Sequence, residues 1–158
     1  MTVFTSAGTT LTISADIPAT FDASGYAAVF TASPGPAVVG EITDLGEFGR
    51  EFALVTHMPV GSRGTQKFKG SFNEGTMALS LGLDTDDAGQ IIMKSASLSD
   101  ANFSFQVLTQ SGDKYFFQAK VMSFKVNVAG VDSITTASAS LELTTTAAGV
   151  GIVEVLAV

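Results

Sequence analysis

The chain has no cysteine, no tryptophan, one histidine, and eight lysines and arginines among 158 residues. Each scarcity excludes something. Without cysteine there are no disulfides and no thiolate metal sites. With His57 alone there is one candidate imidazole base, placed beside Met58-Pro59 with nothing in the pattern to orient it as a catalytic triad requires. His57 therefore reads as a loop or interface histidine. Charged residues make up 15% of the chain, against about 25% in average globular proteins. So little charge on a single domain points to surface that faces protein. No apolar run approaches the roughly 20 residues of a membrane span. The opening MTVFTSAGTT lacks the basic start and apolar core of a signal peptide, so the expectation is a cytoplasmic origin with no membrane.

What is present is acid, phenylalanine and β-branched alternation. The net charge of −7 repels free nucleic acid and argues against a sequence-specific DNA binder, while it suits a surface that DNA must slide past. Twelve Phe with no Trp, mostly at alternating positions, indicate core and subunit contact. Base-stacking platforms interleave aromatics with cations along a groove, and only Lys67-Phe68-Lys69 has that form. Sugar-binding sandwiches present exposed Trp or Tyr; this chain has two Tyr, which disfavours a ligand-binding β-sandwich.

Period-2 patterning predicts strands over 9–14, 26–32, 37–43, 50–56, 65–72, 76–83, 101–109, 114–128, 133–144 and 150–157. Phe103, Phe105 and Val107 share one face, for example, with Ser104 and Gln106 on the other. Residues 84–99 predict one helix: Ile91, Ile92, Ser95 and Leu98 have helical spacing, Asp84 or Thr85 is the expected N-cap, and Asp86 and Asp87 suit the positive dipole end. The expected architecture is mainly β, a β-sandwich or barrel with one flanking helix, in a single domain over 1–158. Segments 1–8 and 145–158 are read as arms, and 56–64 as a long inter-strand loop.

Motifs for chemistry fail on inspection. Residues 84–95 begin like an EF-hand loop, but Ala88 and Ser95 stand where ligands are needed. The Gly149-Val150-Gly151 stretch has no following helix or Lys for a phosphate loop. Glu41, Asp44, Glu47 and Glu51 cluster, yet they read as a solvated or assembly surface. No catalytic residue, cofactor or metal site is expected, and the chain is read as a non-enzyme.

Residues 38–90 carry Gly40-Glu41-Ile42, Leu45-Gly46-Glu47-Phe48, Lys67-Phe68-Lys69-Gly70, Asn73-Glu74-Gly75 and Leu79 and Leu81 in order, and 114–143 follow as a second half. Together, over roughly 35–145, these resemble the major tail tube proteins of long-tailed, non-contractile bacteriophages, with gene transfer agent tubes alike at this level. The resemblance implies a structural virion protein of the tail, assembled in the host cytoplasm. Homohexameric rings would stack into a hollow tube that passes DNA without binding it specifically. The implied partners are other copies, a tape measure protein, a tail terminator and a distal tail protein. A secretion-system tube or a head–tail connector is the alternative. In such proteins a long loop reaches the next ring. The expectation here is that residues 56–64, which include His57, Met58 and Arg63, do so. Arg50, Arg63, Lys67 or Lys69 would then pair with Glu41, Asp44 or Glu47 of a neighbour.

Overall fold

A computed structural model of the chain describes residues 2–158. Seven strands form one curled antiparallel sheet: β1 (Thr10–Ser14), β2 (Ala37–Val39), β3 (Ile42–Asp44), β6 (Thr76–Gly82), β7 (Phe103–Leu108), β8 (Lys114–Asn127) and β9 (Thr136–Thr144). Their order is β2-β1-β7-β8-β9-β6-β3, and β10 (Val153–Val155) adds to β8. The remaining two strands, β4 (Glu51–His57) and β5 (Gln66–Asn73), form a separate pair. Among the described residues no helix is long and apolar enough to cross a membrane.

β8 turns the corner of the fold. Its first half pairs with β7, ending at Phe103 opposite Ala119; its second half pairs with β9, with a register shift between Val121 and Ser123. The bend brings both ends of the sheet over one core. Leu11, Ile13 and Phe105 from one end meet Met77, Leu79 and Leu141 from the other, with Phe117 between them. Phe105 and Phe117 face each other across neighbouring strands, their rings stacked 5.5 Å apart. Burying such rings contributes a few kcal/mol each, about 3–5 by the cost of cutting a buried Phe to Ala.

The helix α2 (Ala88–Ser97) closes the open side, burying Met93 and Ala96 in that core. It starts later than expected. Asp87 is the N-cap, accepting from the Gln90 N–H at 2.9 Å and the Gly40 N–H at 3.1 Å. The buried Gln90 amide donates to the Gly40 and Gly82 carbonyls, at 3.0 and 2.9 Å, and accepts from the Asp84 N–H at 3.0 Å. Thus the acid-rich stretch 84–87 fixes a helix start to the β2–β3 link. Gly89 is needed there: a Cβ would lie 2.3 Å from the Val38 carbonyl oxygen.

One expectation fails outright. Residues 26–32 are not a strand, and the fold has two helices. The second, α1 (Ala23–Thr31), packs on the outer face of β8, with Tyr26 stacked on Phe116 at 5.4 Å and Phe30 at 5.7 Å. Asp22 caps it, accepting from the Gly25 N–H at 2.8 Å and from the Thr20 and Ser24 hydroxyls. These bonds hold the Asp22 carboxyl below its ordinary range. Gly25 admits no side chain, because a Cβ would collide with the Thr20 carbonyl. The cover of α1 explains why Ser104 and Gln118 are buried on the face opposite the core; Gln118 donates to the Ser104 hydroxyl, which donates to the Asp16 carbonyl, both at 2.6 Å.

The segment 145–158 returns to the domain. Val153–Val155 pair with Lys114–Phe116, and the Ala157 N–H donates to Asp113 at 2.8 Å. Residues 2–7 are exposed and carry no strand pairing.

Candidate assembly surface

Among the strands the β4–β5 ribbon has the least cover. All seven residues of β4 are exposed, as are all of β5 except the half-buried Gly70. In β6 buried and exposed residues alternate, as expected for a sheet with one face on the core. Sequence alternation over 50–56 and 65–72 therefore identified strands correctly but not their setting.

Register assigns the side chains to faces. Val55 lies opposite Phe68, Leu54 opposite Lys69, Thr56 opposite Lys67 and Phe52 opposite Phe72. Directly opposed residues share a face. One face thus carries Phe52, Leu54, Phe72, Lys67 and Lys69, with Lys69 Nζ 4.7 Å above the Phe52 ring. The other carries Ala53, Val55 and Phe68, and includes His57 opposite Gln66. One face carries the lysines; the other bears no lysine or arginine and has Ala53, Val55 and Phe68 between a Glu51–Asn73 pair at one end and a His57–Gln66 pair at the other. Thr56 and His57 belong to β4, so the free loop is shorter than 56–64 and begins at Met58. Met58, Val60 and Arg63 are exposed in it, and its turn is held by Ser62, whose N–H donates to Pro59 and whose hydroxyl accepts from Gly64.

At its root the ribbon is tied down. Arg50 Nε donates to Glu74 Oε1 at 2.7 Å, its Nη2 donates to the Gly149 carbonyl at 3.3 Å, and its guanidinium lies 3.9 Å over Phe72. Glu74 is 2% exposed and presses on Gly151, where a Cβ would come within 2.3 Å of its carboxylate. Arg50 is thus engaged inside its own chain rather than free for a neighbour's acid. Sequence reading missed Glu74 as its partner; the available signal was an acid in the turn that closes the strand facing Arg50.

The acids expected as acceptors lie elsewhere. Glu41, Asp44 and Glu47 are all exposed, on and around β3 at the terminal edge of the sheet. Asp44 accepts from the Gly46 N–H at 2.8 Å, and Glu41 sits at φ 59°, its carbonyl accepting from Gly82. Among the described residues Arg50–Glu74 is the one ion pair, so the ribbon cations Arg63, Lys67 and Lys69 and these edge acids do not meet within one chain.

A second open feature is the edge of β8. Beyond Ala119 it has β9 on one side and, among the described residues, no strand on the other. The sheet face turned away from the core there presents Lys120, Ser123 and Lys125 from β8, Ser138, Ser140 and Glu142 from β9, and Thr76, Ala78 and Ser80 from β6. It is small and hydroxyl-rich, with two cations and one anion.

Solved structures share this architecture. A chain of the anti-feeding prophage baseplate matches with TM-score 0.64 at 10% identity, over 91% of this chain and 93% of that one. The SPP1 tail tube matches with TM-score 0.59 at 13% identity, over 95% and 77%. A type six secretion system protein is more distant, at TM-score 0.40 and 10% identity. No protein-family model matches the chain, and no curated protein matches its sequence. The fold is therefore that of phage tail tube proteins, mainly β with a large antiparallel sheet and, here, two helices.

Proposed function

We propose that this chain is a structural protein of a virion tail, whose copies join edge to edge into hexameric rings that stack into a hollow tube conducting DNA. The observation that carries the reading is the β4–β5 ribbon. Phe52, Leu54, Val55, Phe68 and Phe72 are 40%, 67%, 47%, 54% and 37% exposed on it, without a core of their own. An isolated two-stranded ribbon is marginal in water, so this one gains its cover from another molecule. The open edge of β8 supports lateral joining, since pairing it with a neighbour's sheet removes an aggregation-prone edge. The ribbon then reaches the next ring, with Lys67 and Lys69 directed to acids such as Glu41, Asp44 and Glu47 and the tip cation Arg63 to an acid of the receiving copy.

In this arrangement the hydroxyl-rich face of β6, β9 and β8 lines the bore. Its charge differs from the acidic lumen that the net charge of −7 permits: each copy presents Lys120 and Lys125 against Glu142 among short Ser, Thr and Ala side chains, and with Lys120 opposite Glu142 one cation is left over. A tape measure protein inside, a terminator and a distal tail protein at the ends complete the partner set.

A second reading is a ring component that does not extend into a tube. It is favoured by the baseplate chain, which this chain matches over 93% of that chain's length. Sedimentation velocity over a range of concentrations tests the shared claim. Species at six-fold mass and its multiples are expected; six-fold rings that never grow favour the baseplate reading, and monomer throughout contradicts both.

A further inference from the structure

The inner side of α2 buries Gly89, Gln90, Met93 and Ala96, yet Ile91 and Leu98, two turns apart on another side, are 54% and 87% exposed. They form one wall of an open groove of about 480 Å³ with Leu83, Phe124 and Val126. Lys94 also stands on the α2 wall, and Asp84 lies at the groove's end. The chain's own ribbon does not fill this groove, because both faces of the ribbon are exposed.

We propose that the groove receives the β4–β5 ribbon of a second copy, lysine-free face inward, with the Val55–Phe68 pair over Ile91 and Leu98. The inference rests on the assembly reading above and names the receiving surface. One property of the groove selects that face and another suits the ribbon's tip. Lys94 repels the side bearing Lys67 and Lys69, whereas the Ala53, Val55 and Phe68 side brings no lysine or arginine to it. At the groove's end Asp84, with Asp86 next along an exposed turn, offers anions to the tip residue Arg63. The ribbon carries three cations against one acid, Glu51, in a chain of net charge −7, so the acids beside the groove are complementary to its cationic tip. The cationic face remains turned outward, available to edge acids of a further copy.

The chain has no cysteine, which makes the test direct. Phe68→Cys and Ile91→Cys are made as separate, differently tagged proteins, mixed under assembling conditions and oxidised. The expected product is a disulfide dimer containing one copy of each, absent from either variant alone. Where Phe68→Cys itself stops assembly, Val55→Cys replaces it. Assembly without the mixed dimer overturns the groove and leaves the assembly reading standing; wild-type protein that never assembles overturns both. Independently, Ile91→Glu with Leu98→Glu abolishes ring stacking while the thermal melt of the monomer stays within a few degrees. Stacking that survives this change also overturns the proposal.

Discussion

Arg50 holds the carboxylate of Glu74, 2% exposed, through a 2.7 Å hydrogen bond at the root of an otherwise uncovered ribbon. The two residues are unequal. Glu74 depends on Arg50 for its charge partner, whereas the Arg50 side chain is 36% exposed and keeps access to water. Arg50→Ala therefore leaves a buried anion and costs about 1–3 kcal/mol, while Glu74→Gln costs about 0.5–1.5 kcal/mol. Urea unfolding midpoints check this order. An equal loss from both changes contradicts the asymmetry.

The cations further out form no ion pair inside the monomer, and Lys69 over the Phe52 ring is their one described contact there. Arg63→Glu changes monomer stability by no more than about 0.5 kcal/mol, and Lys67→Glu combined with Lys69→Glu by no more than about 1 kcal/mol. Either change blocks assembly, and assembly of the wild type weakens with added salt, because exposed charges are screened beyond about 10 Å at 0.1 M. Light scattering during a salt titration measures it; normal assembly of the Arg63→Glu protein refutes the role of the tip.

Gly89 separates helix propensity from packing. In an exposed helix Gly→Ala gains about 1 kcal/mol. Here the new methyl would meet the Val38 backbone, so Gly89→Ala destabilises by about 1–3 kcal/mol, as overpacking does. A raised melting temperature for this variant contradicts the contact between α2 and β2.

The C-terminal segment is tied by Asp113, whose carboxyl the Ser111 hydroxyl and the Ala157 N–H hold below its ordinary value of 3.8. A lowered folded-state pKa makes the tie complete above the unfolded value, and it is lost as pH falls through the folded one. The Ala157 amide resonance should therefore shift with a midpoint below pH 3.8 and be constant around neutrality. Asp113→Ala removes the transition. A shift centred above 3.8 contradicts the tie.

Sequence pattern disclosed most strands because their side chains alternate between a core and something else, as Met77, Leu79 and Leu81 do. It misread Tyr26 to Phe30, where apolar residues satisfy a period of two and a period near four alike. Stacking of Tyr26 and Phe30 on Phe116 decides for helix, and the local signal was the Asp22 cap with Ala-rich residues after it. It placed the cap of α2 three or two residues early, since Asp84, Thr85 and Asp87 are all capping types and only Gly40 distinguishes them. Arg63, Lys67 and Lys69 were legible as an exposed group, but Arg50 was not separable from them, because its partner Glu74 lies 24 residues on. Nothing in residues 51–57 announces that both faces are uncovered; exposure depends on what the rest of the chain leaves unfilled.

Negative-stain electron microscopy of the purified chain over a range of concentrations tests the central claim most directly. The account predicts rings with a central bore that stack into hollow tubes of uniform width. Monomers at every concentration, or solid fibres without a bore, would contradict it.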